Sequence, residues 1–234
     1  MITEAPDTSG TAVDVLQALA DDDYRMGNLQ AIPYNSLLRN DDHPLFEDNF
    51  LSTLYADSKA AGILPRTFCG MTNLSHDAIV SYLASKKVVA LVEWGERDTI
   101  AEGTFVIAGY AFVVAWVGVA PPELGPRSAF AAYAYLPEYW GLPAAETLGM
   151  LGLAHLFHVY KLQSIFGQRY ADNALTARFM ARYGSHDIGT IPGFILDKGE
   201  RDGQRRLIDC VLSRLTREDF VSYVERRLLA MIER

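Results

Sequence analysis

Apolar residues in the first part of the chain recur at helical spacing. They return every four positions over residues 45–60, which predicts an amphipathic helix there. Ser75 followed by Asp77 has the pattern of an N-cap with an acid in the first turn, and it predicts a second helix that ends near Ser85. The first 23 residues contain six acidic and no basic residues, so we expect a solvated arm with one short helix.

The spacing changes to a strand-like pattern after these helices. Three runs rich in Val, Ala, Tyr and Phe cover residues 88–94, 103–117 and 127–136. Turn-forming residues separate the runs. Three consecutive strands with short connections predict an antiparallel meander.

A buried helix and a strand are predicted next. Residues 144–161 are apolar nearly all round, which is typical of a helix that is covered on several sides. A short strand follows at residues 162–170. Asn173 then has the position of an N-cap, and Gly184 that of the residue after a helix end, so a second helix runs from Asn173 to Tyr183 with Leu175 on its apolar face.

The chain ends in a predicted hairpin and a helix. The strands of the hairpin lie at about 186–196 and 206–215, joined by the turn KGERDG. Thr216 with Asp219 three residues later opens the final helix. With no internal repeat and no low-complexity linker, the order of elements predicts one α+β domain.

Composition narrows the functional classes. Half of the residues are hydrophobic and 21% are charged, so the chain is long and apolar enough to bury a core. A net charge of -8 argues against binding to nucleic acid by phosphate attraction. The uncharged run at 103–120 is shorter than the ~20 residues of a membrane-spanning helix, and the N-terminus lacks the pattern of a signal peptide. We therefore expect a soluble, cytoplasmic protein that binds neither nucleic acid nor membrane.

Two motifs in order carry a family resemblance. PEYWGLPAAETL at residues 137–148 stands before the buried helix, and ADNALTARFMARYG at residues 171–184 contains Asn173, Thr176 and Gly184. In this arrangement the chain resembles the GNAT superfamily of acyl-CoA-dependent N-acyltransferases. The most similar branch acetylates the N-termini of ribosomal proteins.

The resemblance covers roughly residues 29–220. It implies a GNAT-like domain with a mixed, mostly antiparallel sheet of about six to seven strands flanked by helices. Residues 1–28 are then an acidic N-terminal arm, and residues 221–234 a C-terminal helical extension.

The resemblance also implies a function, namely transfer of an acetyl group from acetyl-CoA to a primary amine on a protein N-terminus or a small molecule. The cofactor would lie where strands 127–136 and 162–170 separate, in a cleft floored by Tyr135, Leu136 and Phe166. Tyr135 and Thr176 are the candidate catalytic residues, and each could instead be an ordinary packing residue. The implied cofactor-binding residues are Leu136, Trp140, Gly141, Leu142, Ala144, Ala145 and Asn173.

The loop at the start of the buried helix departs from the family pattern. Pro143 stands where a second glycine is usual, and the segment from Gly141 to Glu146 is about one residue shorter. Proline has no N–H group, so a hydrogen bond to the pyrophosphate of acetyl-CoA could be lost. The alternative is that Pro143 simply occupies the first helical turn, where a missing N–H is harmless.

Two acids are the candidates for a general base. No carboxylate lies on the strand at residues 127–136, so Glu93 and Glu138 are the acids to consider, with a structural role expected for Glu138. These departures leave open an alternative from a different class. The chain could be a non-catalytic GNAT-fold subunit for binding or assembly that has lost normal CoA binding.

Two further features concern metals and partners. His155 and His158 lie three residues apart, but no other ligands stand at compatible positions, so packed histidines are expected and not a metal site. The final helix has an apolar stripe of Phe220, Val224, Leu228 and Met231. Because the resembling domain is complete without it, we expect this helix to pack on another chain, in a homodimer or larger assembly.

Overall fold

The computed structural model describes most of the chain, and its central feature is one eight-stranded sheet. The described residues are 12–21, 23–33, 50–68, 71, 73–95, 105–117, 128–197 and 206–232. The strands are β1 (Arg25–Met26), β2 (Leu29–Pro33), β3 (Val88–Trp94), β4 (Phe105–Val117), β5 (Ser128–Tyr135), β6 (Ser164–Tyr170), β7 (His186–Asp197) and β8 (Arg206–Thr216).

The strand order in the sheet is β1-β2-β3-β4-β5-β6-β8-β7. All neighbours are antiparallel except β5 and β6, which are parallel because a helix connects them. The meander of β3, β4 and β5 and the mixed, mostly antiparallel sheet are confirmed. The sheet has more strands than the six to seven expected. Neither β1 nor β2 has a strand signal in the sequence, because β1 has two residues and β2 is buried throughout and shows no alternation of polar and apolar residues.

Seven α-helices surround the sheet in the described part of the chain. They are α1 (Ala12–Leu19), α2 (Phe50–Ala60), α3 (Leu64–Thr67), α4 (His76–Ala84), α5 (Pro143–Val159), α6 (Ala174–Arg182) and α7 (Arg217–Ile232). The predictions for α4, α5 and α6 are confirmed to within two residues at each end. The predicted helix over residues 45–60 corresponds to α2; residues 45–49 and the turn KGERDG lie outside the described residues.

The two faces of the sheet carry separate hydrophobic cores. On one face, α5 packs against α1, and Leu16, Leu151 and Phe220 are fully buried in the core that these helices share with α7. On the other face, α2, α3 and α4 cover the meander around Ile79 and Phe112. As predicted, α5 is buried on nearly all sides, which explains its apolar sequence.

Helix α1 of the N-terminal segment is not solvated on all sides. Val15, Leu16 and Leu19 of α1 are buried in the core beside α5, so the prediction from the acidic composition was wrong for this helix. The acids of the segment do not contradict this burial, because the apolar positions of α1 recur at helical spacing and form one face. The domain boundaries at residues 28 and 220 stay a prediction.

The C-terminal helix α7 folds back onto the same chain. Phe220, Val224 and Leu228 are buried in the core around α5, and Phe220 stacks on Phe157 at 5.2 Å. Thr216 Oγ1 accepts a hydrogen bond from the Asp219 N–H, as the predicted N-terminal pair requires. Three of the four stripe residues are thus covered within the chain itself, whereas Met231 is 44% exposed. Packing of this helix on another chain stays a prediction. Homo-oligomerisation itself stays a prediction.

The helices of the described residues were compared with the requirements of a membrane span. None of them has the length and apolar character that crossing a bilayer requires.

Candidate functional site

Strands β5 and β6 separate after three residue pairs. Ser128 pairs with Ser164, and the last pair is Phe130 with Phe166. Beyond this point β5 stays bonded to β4, whereas β6 stays bonded to β8. The predicted divergence of the two strands is confirmed, and it opens the sheet in its middle.

Two cavities lie at this opening. One has a volume of about 470 Å³ and the other of about 380 Å³. They share a wall formed by Thr67, Tyr133, Asn173 and Thr176. The smaller cavity also reaches the loop between β5 and α5, so it connects the opening of the sheet to the start of that helix.

The loop between β5 and α5 is built from two tight turns. Pro137–Tyr139 form a 3₁₀ turn, and Trp140 donates its indole N–H to the carbonyl of Tyr135 at 2.9 Å. Gly141 has φ +80°, a conformation that favours glycine, and no atom lies within 4 Å of the position that a Cβ would occupy. The backbone is therefore open to solvent at Gly141.

Helix α5 begins at Pro143. This proline is the first helical residue, with Leu142 as N-cap, and its missing N–H costs the helix no bond. This geometry agrees with the helix-start interpretation of Pro143. Whether Pro143 also removes a donor to a bound anion stays a prediction.

Several loop N–H groups are already used within the loop. Those of Tyr139, Trp140 and Leu142 donate to carbonyl oxygens of the same turns at 3.0–3.1 Å. Ala144 and Ala145 are in the first turn of α5, where N–H groups have no intrahelical partner. Together with the N–H of Gly141, they are the donors that this loop can offer to a ligand.

Asn173 and Thr176 lie at the start of α6, beside both cavities. The Asn173 side-chain oxygen accepts a hydrogen bond from the Thr176 N–H at 3.1 Å, which caps the helix as predicted. The cap leaves the Asn173 amide nitrogen and the Thr176 hydroxyl as polar groups at the shared wall.

A group of aromatic side chains fills the space between β5, α5 and α6. Tyr133 and Tyr135 both lie within 6 Å of Phe179, measured between ring centroids. Their hydroxyl groups are buried and have no hydrogen-bond partner among the described residues. Burial raises the pKa of both tyrosines well above the ordinary value, so both remain protonated across the physiological range.

Tyr135 lines the smaller cavity, but its hydroxyl points towards α5. The position of a Cβ on Gly149 would come within 2.9 Å of that oxygen. A proton-donating role for Tyr135 therefore requires the hydroxyl to turn from α5 towards the cavity; the role stays a prediction.

Glu146 joins three helices near the mouth of the smaller cavity. Its carboxylate accepts hydrogen bonds from Arg182 of α6 at 2.9 Å and from Tyr223 of α7 at 3.0 Å. Its backbone carbonyl accepts one from the Tyr183 hydroxyl at 2.9 Å. Burial raises the pKa of Tyr223, and the Glu146 charge and hydrogen bond raise it further.

The two acids considered as a general base are placed away from the cavities. Glu93 accepts hydrogen bonds from the Tyr139 hydroxyl at 2.6 Å and from the Asn28 side chain at 3.1 Å. Glu138 is exposed on the 3₁₀ turn, where its charge, second to burial, raises the pKa of Asp57. Neither acid is among the residues that line the cavities.

The two histidines of α5, His155 and His158, lie in different surroundings. His155 is buried in the core, whereas His158 is partly exposed near the end of the helix. Burial, followed by the charges of Lys161 and Arg217, lowers the pKa of His158. Within the described ranges, no group of three or more histidine, cysteine or acidic side chains could hold a metal ion.

The structure brings six of the predicted site residues to one cavity. The six that line the smaller cavity are Tyr135, Trp140, Gly141, Ala145, Asn173 and Thr176. The other three site residues do not line it: Leu136 packs between the two cores, Leu142 is exposed, and Ala144 packs against the core beside α5. Phe166 is not in the cleft floor either, because its ring packs at a tilt against Phe130, where the strands are still paired.

Two basic residues at the smaller cavity are not predicted by the sequence motifs. Arg178 and Arg182 lie one turn apart on α6 and line its wall. We expected Leu175 on the buried face of this helix, but its side chain is 43% exposed. The four-residue spacing of the arginines was the signal that could have revealed a second functional face.

Comparison with known proteins gives matches among solved structures. No family model and no curated protein sequence matches the chain. The structure of RimJ from Mycobacterium smegmatis in complex with CoA-disulfide is 16% identical, with a TM-score of 0.58 over 85% of this chain and 88% of that one. Spermidine N-acetyltransferase from Vibrio cholerae, in complex with CoA and spermine, is 13% identical, with a TM-score of 0.58 over 83% of this chain and 99% of that one.

A third solved structure belongs to the same fold. Ribosomal-protein-S5-alanine acetyltransferase from Vibrio fischeri is 11% identical, with a TM-score of 0.54 over 84% of this chain and 97% of that one. The chain therefore has the fold of the GNAT acetyltransferases, as the motifs at residues 137–148 and 171–184 predict.

Proposed function

We propose that the chain is an N-acetyltransferase that uses acetyl-CoA to acetylate a primary amine. The observation that carries the proposal is the separation of β5 and β6, with a cavity at the opening that reaches the N-terminus of α5. A helix N-terminus favours anionic groups. The gap between β5 and β6 admits a narrow chemical group to the protein interior. An elongated ligand with a phosphate-bearing end fits this shape.

The residues at the loop fit the cofactor. Gly141 is open to solvent, and Ala144 and Ala145 have N–H groups without intrahelical partners. These groups would hold the pyrophosphate of acetyl-CoA, while the Asn173 side chain would bind the pantetheine part that enters the opening. Acetyl-CoA would supply the acetyl group as a thioester, which an amine attacks directly.

The hydroxyl groups beside the opening suit the protonation of a leaving thiolate. Thr176 lies on the wall that both cavities share, and it is the hydroxyl best placed to donate a hydrogen bond there. Tyr135 could do the same if its hydroxyl turned towards the cavity. Because burial raises its pKa, Tyr135 would act as a proton donor and not as a base.

One observation favours the alternative, a GNAT-fold protein that binds without catalysis. No aspartate, glutamate or histidine is among the described residues that line the two cavities. Without a nearby base, the attacking amine must lose its proton to water or arrive neutral. The acceptor is proposed only as a primary amine, since the similar structures include enzymes named for a ribosomal protein and for spermidine.

Calorimetric titration with acetyl-CoA, followed by an assay of CoA release, tests the proposal. We expect saturable binding, and release of CoA with an amine such as spermidine or a peptide with a free N-terminus. Thr176→Val should reduce the rate of release more than the affinity, with Thr190→Val on the distant strand β7 as a matched control. Binding without release for any amine would overturn catalysis, and absence of acetyl-CoA binding would favour the alternative, a non-catalytic subunit that has lost normal CoA binding.

A further inference from the structure

The loop before α5 offers few donors to a pyrophosphate group. Pro143 has no N–H, and three other N–H groups of the loop are engaged in its own turns. A diphosphate carries two negative charges, so three remaining backbone donors leave much of its charge uncompensated. Other groups at the same cavity must supply the balance if this ligand binds well.

Two arginines stand at the place where such compensation is needed. Arg178 and Arg182 project from α6 and line the cavity that Gly141 and Ala145 also line. They are the sole charged side chains among the described residues of its lining. Both are exposed, so a ligand that arrives from solvent can reach them.

We propose that Arg178 and Arg182 bind the diphosphate of acetyl-CoA, in place of the backbone donor that Pro143 removes. This inference rests on the proposed function, since it concerns the cofactor of the same site. Arginine is suited to the role because its planar fork can donate two hydrogen bonds to one phosphate group.

The two arginines have different surroundings. Within the described residues, Arg178 makes no ion pair, and its Nε donates to the Ala174 carbonyl of its own helix at 3.4 Å. Most of its donors are therefore available. Arg182 is paired with Glu146 at 2.9 Å, and Tyr223 holds the other oxygen of the same carboxylate.

The local charge balance supports anion binding. One carboxylate faces two guanidinium groups, so one positive charge remains uncompensated at the cavity in a chain whose net charge is -8. The N-terminus of α5 adds a partial positive charge beside it. The Glu146 carboxylate fixes the direction of Arg182, which makes Arg182 a preoriented donor and Arg178 the stronger contributor of charge.

Titration of variants with ligands that differ in their phosphates tests the proposal. The variants are Arg178→Met, Arg182→Met and the double variant, with Arg226→Met on the exposed face of α7 as control. Circular dichroism melting curves establish that each variant folds. Affinity is measured by calorimetry at low and high salt for acetyl-CoA, acetyl-dephospho-CoA, acetyl-pantetheine and inorganic pyrophosphate.

We expect Arg178→Met to weaken acetyl-CoA binding by about tenfold, the lower end for one hydrogen bond to a charged group. Acetyl-dephospho-CoA should show the same loss, because it keeps the diphosphate. Acetyl-pantetheine should bind all variants alike. The salt dependence of acetyl-CoA binding should also be smaller in the double variant than in the wild type.

Several results would overturn the inference. Unchanged acetyl-CoA affinity in the double variant is one, and a loss that disappears when the 3′-phosphate is absent is another. If Arg182→Met lowers the melting temperature without changing affinity, its ion pair with Glu146 is purely structural and the assignment of Arg182 is wrong.

Inorganic pyrophosphate separates this inference from the proposed function. If the wild type binds pyrophosphate in an Arg178-dependent manner but does not bind acetyl-CoA, the anion site stands and the proposed function fails. If the wild type binds acetyl-CoA with no contribution from either arginine, the proposed function stands and the inference fails. Binding of neither ligand overturns both.

Discussion

The Tyr223 hydroxyl donates a hydrogen bond to Oε1 of Glu146 at 3.0 Å, and this bond joins the last helix of the chain to the first turn of α5. The other carboxylate oxygen of Glu146 binds Arg182 of the cavity wall. The C-terminal helix is therefore connected to the proposed cofactor site through a single carboxylate.

Tyr223→Phe should destabilise the protein by about 1–2 kcal/mol, because a hydrogen bond to a charged group is lost at a partly buried site. Urea unfolding followed by circular dichroism measures the change. The exposed neighbour Ser222→Ala is the control and should be close to neutral. Equal stability of Tyr223→Phe and the wild type would mean that the bond contributes nothing to the fold.

Truncation after Ser222 should unfold or strongly destabilise the chain. It removes Tyr223, Val224 and Leu228, each buried in the core around α5, and burial of such side chains contributes ~1.5–3 kcal/mol apiece. Circular dichroism and dye binding to exposed apolar surface report the loss. A truncated chain that stays folded, with its mass by light scattering halved, would instead reveal a helix used between chains.

Local patterns predicted the middle of the chain well. The limits of α5, β6 and α6 followed from an apolar run, an N-cap at Asn173 and a glycine at residue 184 with φ +93°, all of which act over a few residues. The burial of α1, and of Phe220, Val224 and Leu228 in α7, could not be predicted because it depends on contacts with the core around α5 from opposite ends of the chain. No spacing within either segment contains that information.

The residues of the cavity wall, too, can be predicted from local patterns only in part. Trp140, Gly141 and Ala145 belong to one contiguous loop, so a motif could indicate them together. Arg178 and Arg182 reach the cavity because α6 packs across the opening of the sheet. Which side of α6 faces solvent is decided by that packing, and the sequence alone favoured Leu175 as a buried residue.

Gly149→Ala should destabilise the protein by about 1–3 kcal/mol through overpacking. The added Cβ would overlap the Tyr183 hydroxyl and approach the Tyr135 hydroxyl to 2.9 Å. Combining it with Tyr183→Phe should recover part of the loss, since the overlapping oxygen is then absent. A double-mutant cycle of unfolding free energies measures this coupling, and strict additivity of the two changes would contradict the proposed overlap.

Alkaline pH should destabilise the fold more steeply than usual. Burial raises the pKa of Tyr133, Tyr135 and Tyr183 above the ordinary value of 10.0. Below pH 10 both folded and unfolded chains keep these protons, so the stability is fully present there. Above pH 10 the unfolded chain loses protons that the folded chain retains, so unfolding becomes more favourable by up to ~1.4 kcal/mol per pH unit for each tyrosine.

Urea midpoints between pH 8 and pH 11 measure this slope. Tyr133→Phe should reduce it, because one titrating group is removed, and Tyr24→Phe, at a less buried tyrosine, should reduce it less. A slope that Tyr133→Phe leaves unchanged would show that Tyr133 ionises equally in both states.

Pro143→Gly should tighten the binding of acetyl-CoA. Pro143 is the first residue of α5, so the substitution adds an N–H beside those of Ala144 and Ala145 without breaking any existing bond. One added hydrogen bond to a charged group corresponds to ~10- to 100-fold in affinity. Calorimetry measures the gain, with Pro192→Gly on β7 as control for the loss of a proline elsewhere.

The gain should be larger in an Arg178→Met background, where the diphosphate has fewer partners. Equal affinity of Pro143→Gly and the wild type, in folded protein, would show that Pro143 only starts the helix.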